Sequence, residues 1–92
     1  MFNINGKVWW VILCSPYSPN LKRDDGSYAL GACNNYNKKI YIQKDLNGAT
    51  MKKVLHHELV HAVIFSYNIH LNDKIEEIVA NIGLPIIIKR KI

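Results

Sequence analysis

Ninety-two residues, 49% apolar and 21% charged, describe an ordinary globular chain with room for one core and one domain, residues 1–92, which excludes a disordered protein or one with separate substrate or regulatory domains. The net charge of +5 comes from twelve Lys and Arg spread along the chain, without a basic stripe at helical spacing, so it reads as a solvated surface and makes a nucleic-acid partner unlikely. A core this modest would gain useful stability from a bound metal.

The chain opens on Met1-Phe2-Asn3-Ile4-Asn5-Gly6-Lys7, which has no charged lead-in of the kind a signal peptide carries. Val8-Trp9-Trp10-Val11-Ile12-Leu13-Cys14 is aromatic and β-branched and predicts a strand buried on both faces or nearly so; it is too short to span a membrane. Trp9 and Trp10 are assigned to the core. Ser15-Pro16-Tyr17-Ser18-Pro19-Asn20 breaks the strand, and a polar loop follows through Asp24-Asp25-Gly26-Ser27. Tyr28–Cys33 predicts a second strand, Asn34–Lys38 a hairpin loop, and Lys39-Ile40-Tyr41-Ile42-Gln43 a third, alternating strand. Cys14 and Cys33 have no CxxC spacing and are expected as free thiols on neighbouring strands, which places the protein in a bacterial-type cytoplasm.

From about Ala49 to Tyr67 the pattern changes to helix formers, with apolar residues falling all round the cylinder, as in a central helix. Asn68–Asn72 is a connection. A second helix is expected from about Asp73 to Gly83, with Ile75, Ile78, Val79 and Ile82 on one face; Pro85 stops it and Ile86-Ile87-Ile88 forms an apolar tail able to pack as a strand. The fold class expected is α+β: a small, mostly antiparallel sheet of three to four strands, packed on one long helix and closed by a second.

The chemistry concentrates in His57-Glu58-Leu59-Val60-His61, an HExxH motif. Histidines at i and i+4 stand one above the other, about 6 Å apart along the helix axis, and can reach one metal ion from the same side. Glu58 lies about 100° further round, where it misses the ion but can act as general base on a water beside it. All four His and all three Glu lie between positions 56 and 77. Two imidazoles and a carboxylate buried unpaired in an apolar helix would be costly, which favours a metal site over a purely structural role.

Catalytic zinc generally takes a third protein ligand and leaves one position for water. Glu76 and Glu77 are the candidates. Glu76 completes a capping box with Asp73 and so has a local role available, whereas Glu77 has none and has Asn81 one turn on, placed to hydrogen-bond a ligating histidine. Glu77 is therefore the expected third ligand, with His57 and His61, for one Zn2+ per chain. An oxyanion stabiliser should also exist; His56, Tyr67, His70, Tyr36 and Tyr41 are weak candidates, each better read as surface or packing.

Residues 26 to 81, through Gly-Ser-Tyr-Ala-Leu-Gly, Lys-Lys-Ile-Tyr-Ile, Val-Leu-His-His-Glu-Leu-Val-His-Ala and Glu-Glu-Ile-Val-Ala-Asn, resemble the small phage-type and bacterial metallopeptidases of the ImmA/IrrE group, within the gluzincins. The resemblance implies a zinc-dependent metalloendopeptidase with Glu58 as catalytic base and His57, His61 and Glu77 as ligands. The Glu-x-x-x-Asp element of gluzincins stands here as Glu77-Ile78-Val79-Ala80-Asn81, with Asn in place of Asp. It also implies a protein or peptide substrate added to an edge strand just before the motif helix, which assigns that edge to residues 39–43. The competing reading from another class is a zinc-containing protein of the same fold that binds or regulates and hydrolyses little.

Overall fold

The computed structural model describes residues 1–69. They form strands β1 (Phe2–Ile4), β2 (Lys7–Cys14), β3 (Gly31–Asn34) and β4 (Lys39–Gln43), then one helix, α1 (Gly48–Ser66). The second helix expected at Asp73–Gly83 and the tail at Ile86–Ile88 lie outside the described residues.

The four strands make one mixed sheet in the order β1-β2-β4-β3. β1 and β2 are joined by a two-residue turn, Asn5-Gly6, with both φ positive (51° and 79°). That is the geometry a tight antiparallel hairpin favours, and Asn-Gly adopts it with little strain. β3 and β4 form the expected second hairpin, its loop fixed by Asn34 Oδ1, which accepts from the backbone N–H of Tyr36 and Asn37. β2 and β4, however, run parallel, with Trp10 opposite Lys39 and Cys14 opposite Gln43. Residues 15–38, which include β3, connect them, well above the dozen residues a parallel crossover needs.

This topology corrects four expectations. Among the described residues the sheet is mixed, with two antiparallel pairings as expected and a parallel one between β2 and β4, and β1 is a strand the sequence reading lacked. Lys39–Gln43 is an interior strand between β2 and β3 rather than an edge; Ile40, Tyr41 and Ile42 are all buried, as a central strand flanked on both sides requires. The strand expected at Tyr28–Cys33 starts at Gly31, while Tyr28 makes only an isolated bridge to Lys22. Cys14 and Cys33 are half-buried, on strands separated by β4 rather than neighbouring.

β2 is not buried on both faces: Trp9 is fully enclosed, but Trp10 is 49% and Leu13 55% exposed. Trp9 therefore belongs to the core, as expected, and Trp10 does not. The core lies between sheet and helix, from Ile4, Trp9, Ile40 and Ile42 on one side and Leu59, Ala62 and Val63 on the other. Burial at roughly 25 cal/mol per Å2 of apolar surface makes this interface the main stabilising term. The Pro19–Leu21 3-10 turn packs on β3 and β4 and buries Leu21.

α1 begins where Asn47 Oδ1 accepts the Thr50 N–H at 2.9 Å, an N-cap worth about 1 kcal/mol. It ends in a Schellman arrangement: Asn68 takes a positive φ of 54°, its N–H donates to Phe65 O, and the Ile69 N–H donates to Ile64 O. The last turn is also held from the sheet. Trp9 Nε1–H donates to Ser66 Oγ at 2.7 Å in the core, and Asn5 Nδ2 donates to Ser66 O at 2.9 Å. Burial deepens along α1: Glu58 to Ile64 are enclosed or nearly so, whereas Lys52 and Lys53 are exposed. The helix is thus central only in its second half.

Candidate metal centre

His57 and His61 lie on α1, where the half-exposed first turns give way to the buried second half. Their Nε2 atoms stand 3.2 Å apart, and the rings meet edge to face with centroids 5.0 Å apart. His61 is buried and stacks at 6.5 Å on Phe65, one turn further on. A ring packed between two neighbours has few rotamers left, so its nitrogen is aimed rather than merely near.

The spacing of the two nitrogens tests the fit to zinc. Tetrahedral Zn2+ with Zn–N bonds of about 2.0–2.1 Å requires ligand nitrogens about 3.3 Å apart, against the 3.2 Å found here. The same distance suits an N–H···N hydrogen bond between the rings when one is protonated at Nε2. The donor pair therefore fits the metal, and the convergence is the one the i, i+4 spacing implied. Among the described residues no cluster of three His, Cys, Asp or Glu side chains able to hold a metal ion is found. The expected third ligand Glu77, its alternative Glu76, and Asn81 lie outside the described residues.

Glu58 is buried, 8% exposed, and lies against the start of β3. A Cβ placed on Gly31 would sit 3.2 Å from Glu58 Cγ, 2.5 Å from Val54 Cγ1 and 3.3 Å from Tyr41 O. The first residue of β3 is thus pressed onto the helix beside the motif glutamate, an approach that only glycine permits. The sequence reading passed over Gly31. Its signal was a glycine inside a strand-like run, which marks a close backbone approach.

A cavity of about 550 Å3 opens at this junction, lined by Arg23, Leu30, Gly31, Lys53, Val54, His56, His57 and Glu58. One motif histidine and the motif glutamate therefore face a space of ligand-binding size. Of the weak oxyanion candidates, His56 alone among the described residues lines it, and its Nε2 is buried with no hydrogen-bond partner. Tyr36 is fully exposed on the hairpin loop. Tyr41 is buried in the sheet, its hydroxyl accepting from Asn37 Nδ2. Tyr67 caps the helix, and His70 lies outside the described residues.

Among the described residues β3 is a terminal strand of the sheet, and its first residue, Gly31, lines this cavity. β4 has both of its edges paired within the sheet, so residues 39–43 do not offer the edge that the resemblance implied. No described helix is long and apolar enough to cross a membrane.

Comparison with known proteins adds no relative: no family model, no curated protein and no solved structure matches the chain.

Proposed function

We propose that the chain is a zinc-dependent metalloendopeptidase whose metal is held by His57 and His61, with Glu77 as third ligand and Glu58 as general base. The observation that carries this reading is the convergence of the two Nε2 atoms to 3.2 Å beside a cavity that Glu58 also lines. Zinc in such a site supplies a Lewis acid that polarises a carbonyl and lowers the pKa of a water. Glu58 takes the proton of the attacking water and delivers it to the departing amine. Its Cγ packs against Gly31, which sets the side chain beside the strand from which a substrate would be presented.

The substrate is a protein or peptide segment in extended form, added to the outer edge of β3 rather than to residues 39–43. Backbone pairing with Gly31–Asn34 would set the register of the chain, and its side chains would alternate into and out of the cavity. The narrowness of the approach at Gly31 supports this assignment, because it brings β3 backbone to within a side-chain radius of Glu58.

The test is proteolysis of a casein-type substrate by wild type and Glu58→Gln, with zinc measured in both. Loss of cleavage with zinc retained is expected. Equal cleavage by the two proteins would refute the role of Glu58. Stoichiometric zinc with no cleavage by wild type would favour instead the zinc-containing binding or regulatory protein.

A further inference from the structure

We propose that the cavity selects peptides carrying an acidic side chain near the scissile bond, gripped between Arg23 and Lys53. The inference rests on the peptidase reading and names the substrate class of the same site. Arg23 and Lys53 come from different parts of the chain: Arg23 from the loop before β3, and Lys53 from α1. Lys53 stands four residues before His57 and eight before His61, so the three form one stripe with steps of about 6 Å. A peptide laid along the start of β3 would run past Leu30 and Gly31 in the cavity that both cations line.

The charge balance of this cavity points to an anionic occupant. Glu58 is the one carboxylate among the described lining residues, against two permanent cations, and Glu58 is committed to proton transfer. Asp25, two residues beyond Arg23 in the loop, lies outside the cavity lining and is held by Ser27. It accepts from the Ser27 hydroxyl at 2.6 Å and the Ser27 N–H at 2.9 Å. Two cations lining one cavity suit a single carboxylate, whereas a nucleic-acid backbone calls for a basic groove with stacking aromatics. Arg23 and Lys53 are both exposed, so each contributes a modest, salt-sensitive increment.

The experiment measures binding and cleavage of two fluorescein-labelled degenerate decapeptide pools, identical except that the internal acidic positions are Glu in one and Gln in the other. Binding is read by anisotropy at low ionic strength on the full-length protein. Wild type is expected to bind the Glu pool roughly tenfold more tightly, at two- to fivefold per cation. Arg23→Gln/Lys53→Gln should bring the two pools close to parity, and Lys52→Gln, which removes a neighbouring helix charge outside the cavity, should keep most of the preference. Equal binding of both pools by wild type, or a preference that survives in the double variant, overturns the proposal. Cleavage separates it from the reading beneath it. Cleavage of both pools at one rate defeats the acidic preference and leaves the peptidase standing. Glu-selective binding lost in the double variant, with no cleavage by zinc-loaded protein, upholds the cation pair and defeats the peptidase.

Discussion

Replacing Gly31 with Ala tests the junction on which the site is built. The new methyl would meet Val54 Cγ1 at 2.5 Å and Glu58 Cγ at 3.2 Å, with Tyr41 O at 3.3 Å behind it. Real Cβ contacts do not close to 2.5 Å, so the helix, the strand or Val54 must give way. Val54 is β-branched and has few rotamers in a helix, which leaves a rigid-body shift of β3 from α1 as the main escape. Overpacking of this kind costs about 1–3 kcal/mol, and each kcal/mol lowers the Tm of a domain this size by about 4–8 °C. The same shift moves Glu58, so peptide cleavage should fall by more than the loss of folded protein explains. Val54→Ala alone removes two half-buried methyls and costs about 1–2 kcal/mol. In the double variant the two changes should compensate, with a favourable coupling of about 1 kcal/mol. Chemical denaturation of wild type, the two single variants and the double variant measures that coupling. Strict additivity, or a Gly31→Ala protein as stable as wild type, would refute the close approach of β3 to the helix.

Other consequences are checked more simply. Ser66→Ala strands the buried Trp9 N–H that donates to Ser66 Oγ and should cost about 1–3 kcal/mol in urea denaturation; Trp9 fluorescence should report the change. Asn47→Ala removes the N-cap bond to Thr50 and should cost about 1 kcal/mol, with zinc affinity little altered, because the cap lies more than two turns from His57. Gly6→Ala forces a side chain onto a φ of 79° and should destabilise by about 1 kcal/mol, seen as a lower midpoint of unfolding. The Asp25 carboxyl is held below its ordinary range, chiefly by the Ser27 hydroxyl and then by the Ser27 N–H. Because the folded value is the lower one, the loop contact is present above the ordinary carboxylate range and is lost as pH falls through the depressed value. An NMR titration of Asp25 should move back toward the ordinary range in Ser27→Ala.

The helix and its motif were legible because their signals are local. The run from Ala49 to Tyr67 predicts the helix to within one residue at each end of Gly48–Ser66, and the i, i+4 histidines converge as helical geometry requires. The hairpin at Asn34–Lys38 was legible for the same reason. Strand order was not, because it depends on what passes between strands far apart in sequence. Lys39–Gln43 directly precedes the helix, yet it lies inside the sheet because the crossover returns β4 beside β2. The signal for it in the sequence is the unbroken run Ile40-Tyr41-Ile42, and all three residues are buried. Asn5-Gly6 was a turn signal with a strand on each side, and weighing Met1–Lys7 only as a leader hid β1. Trp10 was assigned to the core on its neighbours' apolarity, but strand alternation sends it to the face opposite Trp9.

The central claim is that His57 and His61 hold zinc, and the most direct test is the metal content of purified full-length protein by mass spectrometry, beside His61→Ala and Glu77→Ala. One zinc per chain in wild type is expected, lost in His61→Ala and much weakened in Glu77→Ala. Wild-type protein with no stoichiometric transition metal, even after zinc is supplied and excess removed, would contradict the account at its root.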